Sequence, residues 1–159
     1  MRISIVAVGK IKERYLTEGI NEFTKRLAPF CRLEISEVAE ERMPENPSAA
    51  EKAKTLVREG ERILKAVRPD SYRFVLDVDG CQLASEGLAA KLDKLAVDGK
   101  SDITFIIGGA FGLSPDVRAA ANERLSFSKL TFTHQMIRLL LVEQVYRAFK
   151  ISRGEPYHW

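Results

Sequence analysis

Apolar residues recur along the chain with two alternating periods. Arg2 to Val8 is an apolar, β-branched-rich run closed by Gly9, which predicts a strand. Leu16, Ile20, Phe23 and Leu27 then follow at helical spacing until Pro29 stops the pattern. Cys31 to Ala39 alternates and predicts a second strand. Ser48-Ala49-Ala50-Glu51 has the form of a capping box, and Ala53, Leu56, Val57, Gly60, Ile63, Leu64 and Val67 continue that helix on one face. Phe74-Val75-Leu76 predicts a buried strand ending in the turn Asp77-Val78-Asp79-Gly80. Leu88, Leu92 and Leu95 mark a helix capped near Ser85.

Ile103 to Ile107 is apolar throughout, as a central parallel strand covered on both faces should be. It runs into Gly108-Gly109-Ala110-Phe111-Gly112, and Ser114-Pro115-Asp116 then carries the marks of a helix start. Leu125 to Phe132 reads as a fifth strand with a polar interruption, and a last helix covers about His134 to Lys150. Strands alternating with helices predict an α/β fold, one domain over residues 1–159, with a parallel sheet of five to six strands and helices on both faces. The apolar arc of the last helix, from Met136 to Phe149, is wider than one sheet face needs, which favours a second copy of the chain as its neighbour over deeper burial in its own domain.

Composition adds exclusions. A hydrophobic fraction of 45% and a charged fraction of 30% are those of a globular chain, not of a disordered, collagenous or disulfide-built one. No apolar run approaches membrane-spanning length, no signal peptide is recognisable, and two cysteines, Cys31 and Cys81, suit a reducing cytoplasm. The net charge of +3 is unevenly spread. Residues 2–32 carry seven Lys/Arg against three Glu, residues 33–123 twelve against seventeen acids, and residues 124–159 six against two. Basic ends permit contact with a polyanion without requiring it, and a solvated surface of uneven charge is the favoured reading of composition alone.

Chemistry in an open parallel sheet belongs beyond the carboxyl ends of its strands. That selects the turn after Leu76, the glycine loop Gly108–Gly112 and the end of the fifth strand. The loop is neither a dinucleotide fingerprint nor a P-loop; it allows a flat ligand to approach the backbone, or is a plain strand-to-helix turn. No metal-ligand spacing occurs, so no metal is expected. His134 suits orienting or capping the turn into the last helix, and Asp77 and Asp79 suit turn formation. The tail Ile151–Trp159 carries Arg153 for phosphate and Tyr157, His158 and Trp159 as stacking faces; docking against the protein accounts for so aromatic a tail better than fraying does.

These features together resemble one family. The opening Met1–Lys10, the block Phe105–Gly112, the run Ser126–Glu143 and the ending Ser152–His158 are similar to those of the RlmH-type methyltransferases, which modify a pseudouridine of 23S ribosomal RNA at N3. The resemblance implies a SPOUT-class fold with a C-terminal trefoil knot, S-adenosylmethionine as methyl donor, and a cytoplasmic homodimer acting on the large subunit or whole ribosome. It implies donor-binding positions at Leu76, Gly108, Phe127, Ser128, Lys129, Leu130, Thr131 and Phe132, and a tail in which Arg153, Tyr157 and His158 meet the RNA with help from the partner subunit. His158 is the expected base, Arg153 an electrostatic helper and Tyr157 the positioning ring. The family often carries a basic residue where this chain has Trp159, so stacking stands there in place of a phosphate contact. A ribosome-binding factor without catalysis, and a SPOUT methyltransferase acting on transfer RNA, are the competing readings.

Overall fold

The computed structural model describes residues 1–157. Five strands, β1 (Arg2–Val8), β2 (Arg32–Val38), β3 (Tyr72–Gln82), β4 (Asp102–Ile107) and β5 (Glu123–Ser126), form one sheet in the order β2-β1-β4-β3-β5. Every pairing is parallel. The predicted α/β architecture is thus observed with five strands. Its most apolar strand, β4, lies in the middle with Ile103, Phe105 and Ile106 fully buried.

The helices divide between the two faces. On one side α1 (Arg14–Leu27), α3 (Ser85–Val97) and α5 (Met136–Ser152) enclose a core containing Ile3, Ile5, Phe74, Phe105, Leu141 and Val145. On the other, α2 (Ala49–Ala66) and the short α4 (Pro115–Ala119) cover Val6, Val8, Val75 and Ile106. Strand residues alternate between these cores because successive side chains point to opposite faces. The capping box at Ser48 forms as expected: its hydroxyl accepts from the Glu51 amide at 3.2 Å, and the Glu51 carboxylate accepts from the Ser48 amide at 2.7 Å.

Four boundaries differ from the sequence expectation, each for a local reason. β3 continues to Gln82 through the predicted turn, with a register shift against β5 between Leu76 and Cys81. Gly80 makes that possible, since a Cβ there would stand 2.7 Å from the Arg124 backbone. β5 stops at Ser126: the Ser126 hydroxyl donates to the Ser128 carbonyl and the Ser128 hydroxyl accepts from the Leu130 amide, so local bonds replace the ladder. α3 has Ala84 at its N-cap, and Ser85 instead donates to Gln144 Oε1 at 2.9 Å, joining α3 to α5. α5 begins two residues late because Thr133 Oγ1 accepts from the Met136 amide, the capping role considered for His134.

The wide apolar arc of α5 is met within the chain. It packs between α1 and α3, and Leu139 closes on Gly19 so tightly that a Cβ on that glycine would lie 2.9 Å from it. The arc alone therefore needs no second chain to explain it.

Arg138 sets the register of α5. Its side chain is wholly buried, and its guanidinium donates to the carbonyls of Val8 and Gly9 at 2.8 Å, to Glu37 Oε1 at 2.9 Å and to the His134 carbonyl at 3.1 Å. These contacts fasten the first turn of α5 to the carboxyl ends of β1 and β2. Removing the guanidinium strands two buried carbonyls and leaves the part-exposed Glu37 without its countercharge, so Arg138→Met should lower stability by about 2–4 kcal/mol in urea unfolding. Glu37→Gln, which keeps an acceptor, should cost less, and equal losses from the two variants would assign the stabilisation to charge pairing alone.

Candidate functional site

Beyond Val8, the chain from Phe127 to Gln135 crosses from the edge strand β5 over the ends of β3 and β4 to the start of α5 at β1. Between this crossing and the strand ends lies a cavity of about 320 Å³. Leu76 and Ile107 line it from the strands, Gly108 to Leu113 from the glycine loop, and Phe127, Ser128, Leu130, Thr131 and Phe132 from the crossing segment. Seven of the eight expected donor positions thus meet in one place. Lys129 sits in the same turn with its side chain exposed and outside the cavity lining.

The glycine loop is built by backbone proximity. A Cβ on Gly108 would collide with the Gly112 carbonyl oxygen, and one on Gly109 would lie 2.9 Å from Glu59 Oε2. Gly112 has φ of +86°, a left-handed conformation that favours glycine, and its amide donates to the Gly109 carbonyl at 3.1 Å. The loop is therefore a bare peptide wall. Behind it Glu59 is buried, accepts from the Glu41 amide at 3.0 Å, and is held above the usual carboxylate range chiefly by burial.

Two groups whose sequence context suggests only turn roles stand on the cavity. Asp77 is buried, and its Oδ2 accepts from Arg124 Nε and Nη2 at 3.2 and 3.0 Å while Arg118 Nε lies 3.0 Å away. Its other oxygen accepts from the Asp79 amide at 3.2 Å, so the turn role is real but partial. His134 lines the cavity with Nε2 packed on Gly9 and 3.9 Å from Glu40 Oε2. Burial first, and then the nearby Arg138, push its pKa below the usual histidine value. Nothing in the spacing of either residue revealed these partners, which come from strands and helices distant in sequence.

The expected catalytic residues lie elsewhere on the chain. α5 runs back along the sheet for 17 residues, about 25 Å, from the cavity toward the amino ends of the strands. There Arg153 stands over the Phe30 ring at 4.3 Å. Tyr157 folds back onto α5, donating to Glu143 Oε1 at 3.0 Å, meeting Tyr146 edge-on at 4.9 Å and lying under the Arg147 guanidinium at 4.8 Å. Burial and the bond to Glu143 raise its phenol pKa. The tail is docked as far as Tyr157; His158 lies outside the described residues. Within one chain neither Arg153 nor Tyr157 lines the cavity.

A family model described as "Predicted SPOUT methyltransferase" matches residues 1–158. The chain belongs to this SPOUT methyltransferase family. It is 56% identical over 158 residues to the ribosomal RNA large subunit methyltransferase H of Halothermothrix orenii, and 52% identical over 158 residues to that of Bacillus pumilus. A putative ribosomal RNA large subunit methyltransferase H of Methanococcus maripaludis is also 52% identical over 158 residues, and each alignment covers 99% of both chains. The solved structure of a probable methylase family protein from Haemophilus influenzae superposes with a TM-score of 0.51 at 15% identity, covering 99% of this chain and 70% of that one, which shows a shared fold. Among the described residues no helix is long and apolar enough to cross a membrane, and no group of three or more His, Cys, Asp and Glu could hold a metal ion.

His134 gives this SPOUT member a pH-dependent element at the cavity. Its folded pKa lies below the unfolded value of 6.5, so the unfolded chain binds more protons and stability falls as pH drops through and below 6.5. Urea unfolding at pH 7.5 and pH 5.5 should show a smaller acid loss for His134→Gln than for the unsubstituted protein. Parallel losses in the two proteins would exclude His134 as the source.

Proposed function

We propose that this chain is an S-adenosylmethionine-dependent methyltransferase acting on N3 of a pseudouridine in 23S ribosomal RNA, as a cytoplasmic homodimer that engages the large subunit or whole ribosome. The observation that carries this reading is the gathering of seven expected donor positions around one 320 Å³ cavity in a chain of this family. The names borne by relatives at 52–56% identity support large-subunit ribosomal RNA as the substrate. The crossing segment over the strand ends is where the C-terminal knot of the family would be threaded.

The cavity fits such a donor. Its volume is at the lower end of small-molecule sites. Leu76, Ile107, Leu125 and Phe127 provide an apolar lining for an adenine, and the bare peptides of the glycine loop allow close approach of a flat ring. A sulfonium methyl group is already electrophilic, and that is the chemistry the donor supplies. The protein's task is to place N3 in line with it, a positioning effect worth about 7–11 kcal/mol at best, and to remove the N3 proton. His158 takes that proton, Arg153 stabilises the developing negative charge, and Tyr157 holds the nucleotide.

The position of the tail supports a two-chain site. Arg153 is at the amino edge of the sheet and the cavity at its carboxyl edge. A dimer in which each tail faces its partner's cavity unites them without rebuilding α5. Leu130 and Phe132, 74% and 43% exposed at the crossing, are apolar surface suited to cover by that partner.

Methyl transfer should be measured on ribosomes from cells lacking the enzyme, on free 23S RNA and on transfer RNA, with donor binding followed by calorimetry. Transfer to ribosomes is expected; failure to bind the donor, or transfer to transfer RNA alone, would overturn the proposal. His158→Ala should slow single-turnover transfer about 100-fold or more while donor affinity is kept. Mixing a tail-deleted chain ending at Pro156 with Thr131→Trp, which fills the cavity mouth, tests the shared site. Two inactive proteins should regain about a quarter of the activity if sites form between chains, and none if each chain completes its own.

A further inference from the structure

We propose that Arg118 and Arg124, held together on the buried carboxylate of Asp77, form a phosphodiester-binding site on the rim of the cavity. The proposal rests on the reading of the chain as an RNA methyltransferase and names how the RNA is held beside the cavity.

One cation would neutralise Asp77. Two converge on its Oδ2, Arg118 from α4 and Arg124 from β5, so the cluster is left with a net positive charge. The carboxylate is 2% exposed, whereas the arginine side chains are 42% and 44% exposed. A buried anion thus anchors two guanidiniums whose outer parts face solvent at a fixed spacing. Pre-anchoring removes much of the rotamer entropy that long cationic side chains lose on binding. Guanidinium groups match the oxygens of a phosphodiester in shape and charge.

The surroundings suit a nucleotide strand. Val78 and Phe111, 49% and 38% exposed, flank the same cavity, and Lys52 Nζ stands 5.4 Å from the Phe111 ring centroid. An open ring beside fixed cations is the pairing by which proteins hold unpaired nucleotides, stacking the base and neutralising the phosphate. The carboxylate of the methyl donor is a less suitable ligand. A small-molecule donor is mostly enclosed by its pocket, whereas Arg124 lies outside the cavity lining and Arg118, at the cavity edge, keeps 42% of its side chain exposed.

The test compares Arg118→Gln, Arg124→Gln and the double variant with Lys65→Gln, an exposed α2 position on none of these surfaces. Donor affinity is read by calorimetry, and KM and kcat for ribosomes lacking the methyl group are read across a salt series. The double variant should raise KM at least tenfold and lower the slope of log KM against log salt by about 0.7 per arginine removed. Donor affinity should stay within twofold in Arg124→Gln, whose side chain lies outside the cavity lining, and kcat within threefold. Arg118→Lys with Arg124→Lys should restore the salt slope, which separates charge from folding. An unchanged KM and slope, or a loss confined to donor affinity, would overturn the site. If the unsubstituted protein binds donor but methylates no RNA, the functional reading fails, and salt-dependent co-sedimentation with ribosomes then decides the rim site alone.

Discussion

The buried guanidinium of Arg138 is the contact on which the functional end of this molecule depends. A charge taken wholly out of water is costly unless its partners replace what water gave. Here the Glu37 carboxylate supplies the countercharge and three main-chain carbonyls, Val8, Gly9 and His134, accept the remaining bonds. Burial still pulls its pKa below the usual arginine value, with Glu37 opposing. An aliphatic side chain could fill the same volume but could not satisfy the Val8 and Gly9 carbonyls at the end of β1. The first turn of α5 is therefore tied to the sheet in one register. Because α5 starts there, the nine residues before it must cross the strand ends, and the cavity is the space beneath that crossing.

Charge read along the chain and charge placed in space tell different stories. The acidic middle of the sequence contributes Lys52 and Arg118 to the cavity rim, beside Arg124 from the basic end. The basic tail, in contrast, is carried away from the cavity by the length of α5. A modest net charge thus hides a local positive rim, and shape must provide the rest of the selectivity.

What the sequence made legible follows from the range of the forces involved. Periodicity located all five strands and the principal helices because burial acts on every second or every third to fourth residue. The capping box and the proline start of α4 were readable because their partners lie within four residues. The strand-end rule and the glycine loop marked the cavity without any knowledge of strand order. Arg138, Asp77 and His134 were not readable as site-builders, since their partners are 101, 47 and 94 residues away. The end of β5 was missed for the opposite reason: Ser126 and Ser128 bond their own backbone and override an otherwise strand-like pattern. Within one chain Arg153 and Tyr157 lie away from the cavity, and periodicity gives no sign of that separation.

The glycine loop then has a physical role beyond flexibility. Gly108 is closed from one side by the Gly112 carbonyl, Gly109 from the other by the Glu59 carboxylate, and neither leaves room for a Cβ. Glu59 is in turn held by the Glu41 amide, and the Glu41 carboxylate by Arg58 and Arg62 on α2. A loop of small residues fixed from behind in this way keeps its peptides in place before any ligand arrives. The ordering entropy of binding is then lowered in advance. The same economy recurs at the rim, where Asp77 anchors Arg118 and Arg124, and at the helix start, where Glu37 and the strand carbonyls anchor Arg138. The glycine loop, the cavity rim and the start of α5 are thus each braced by a charged side chain buried against the sheet, Glu59, Asp77 and Arg138.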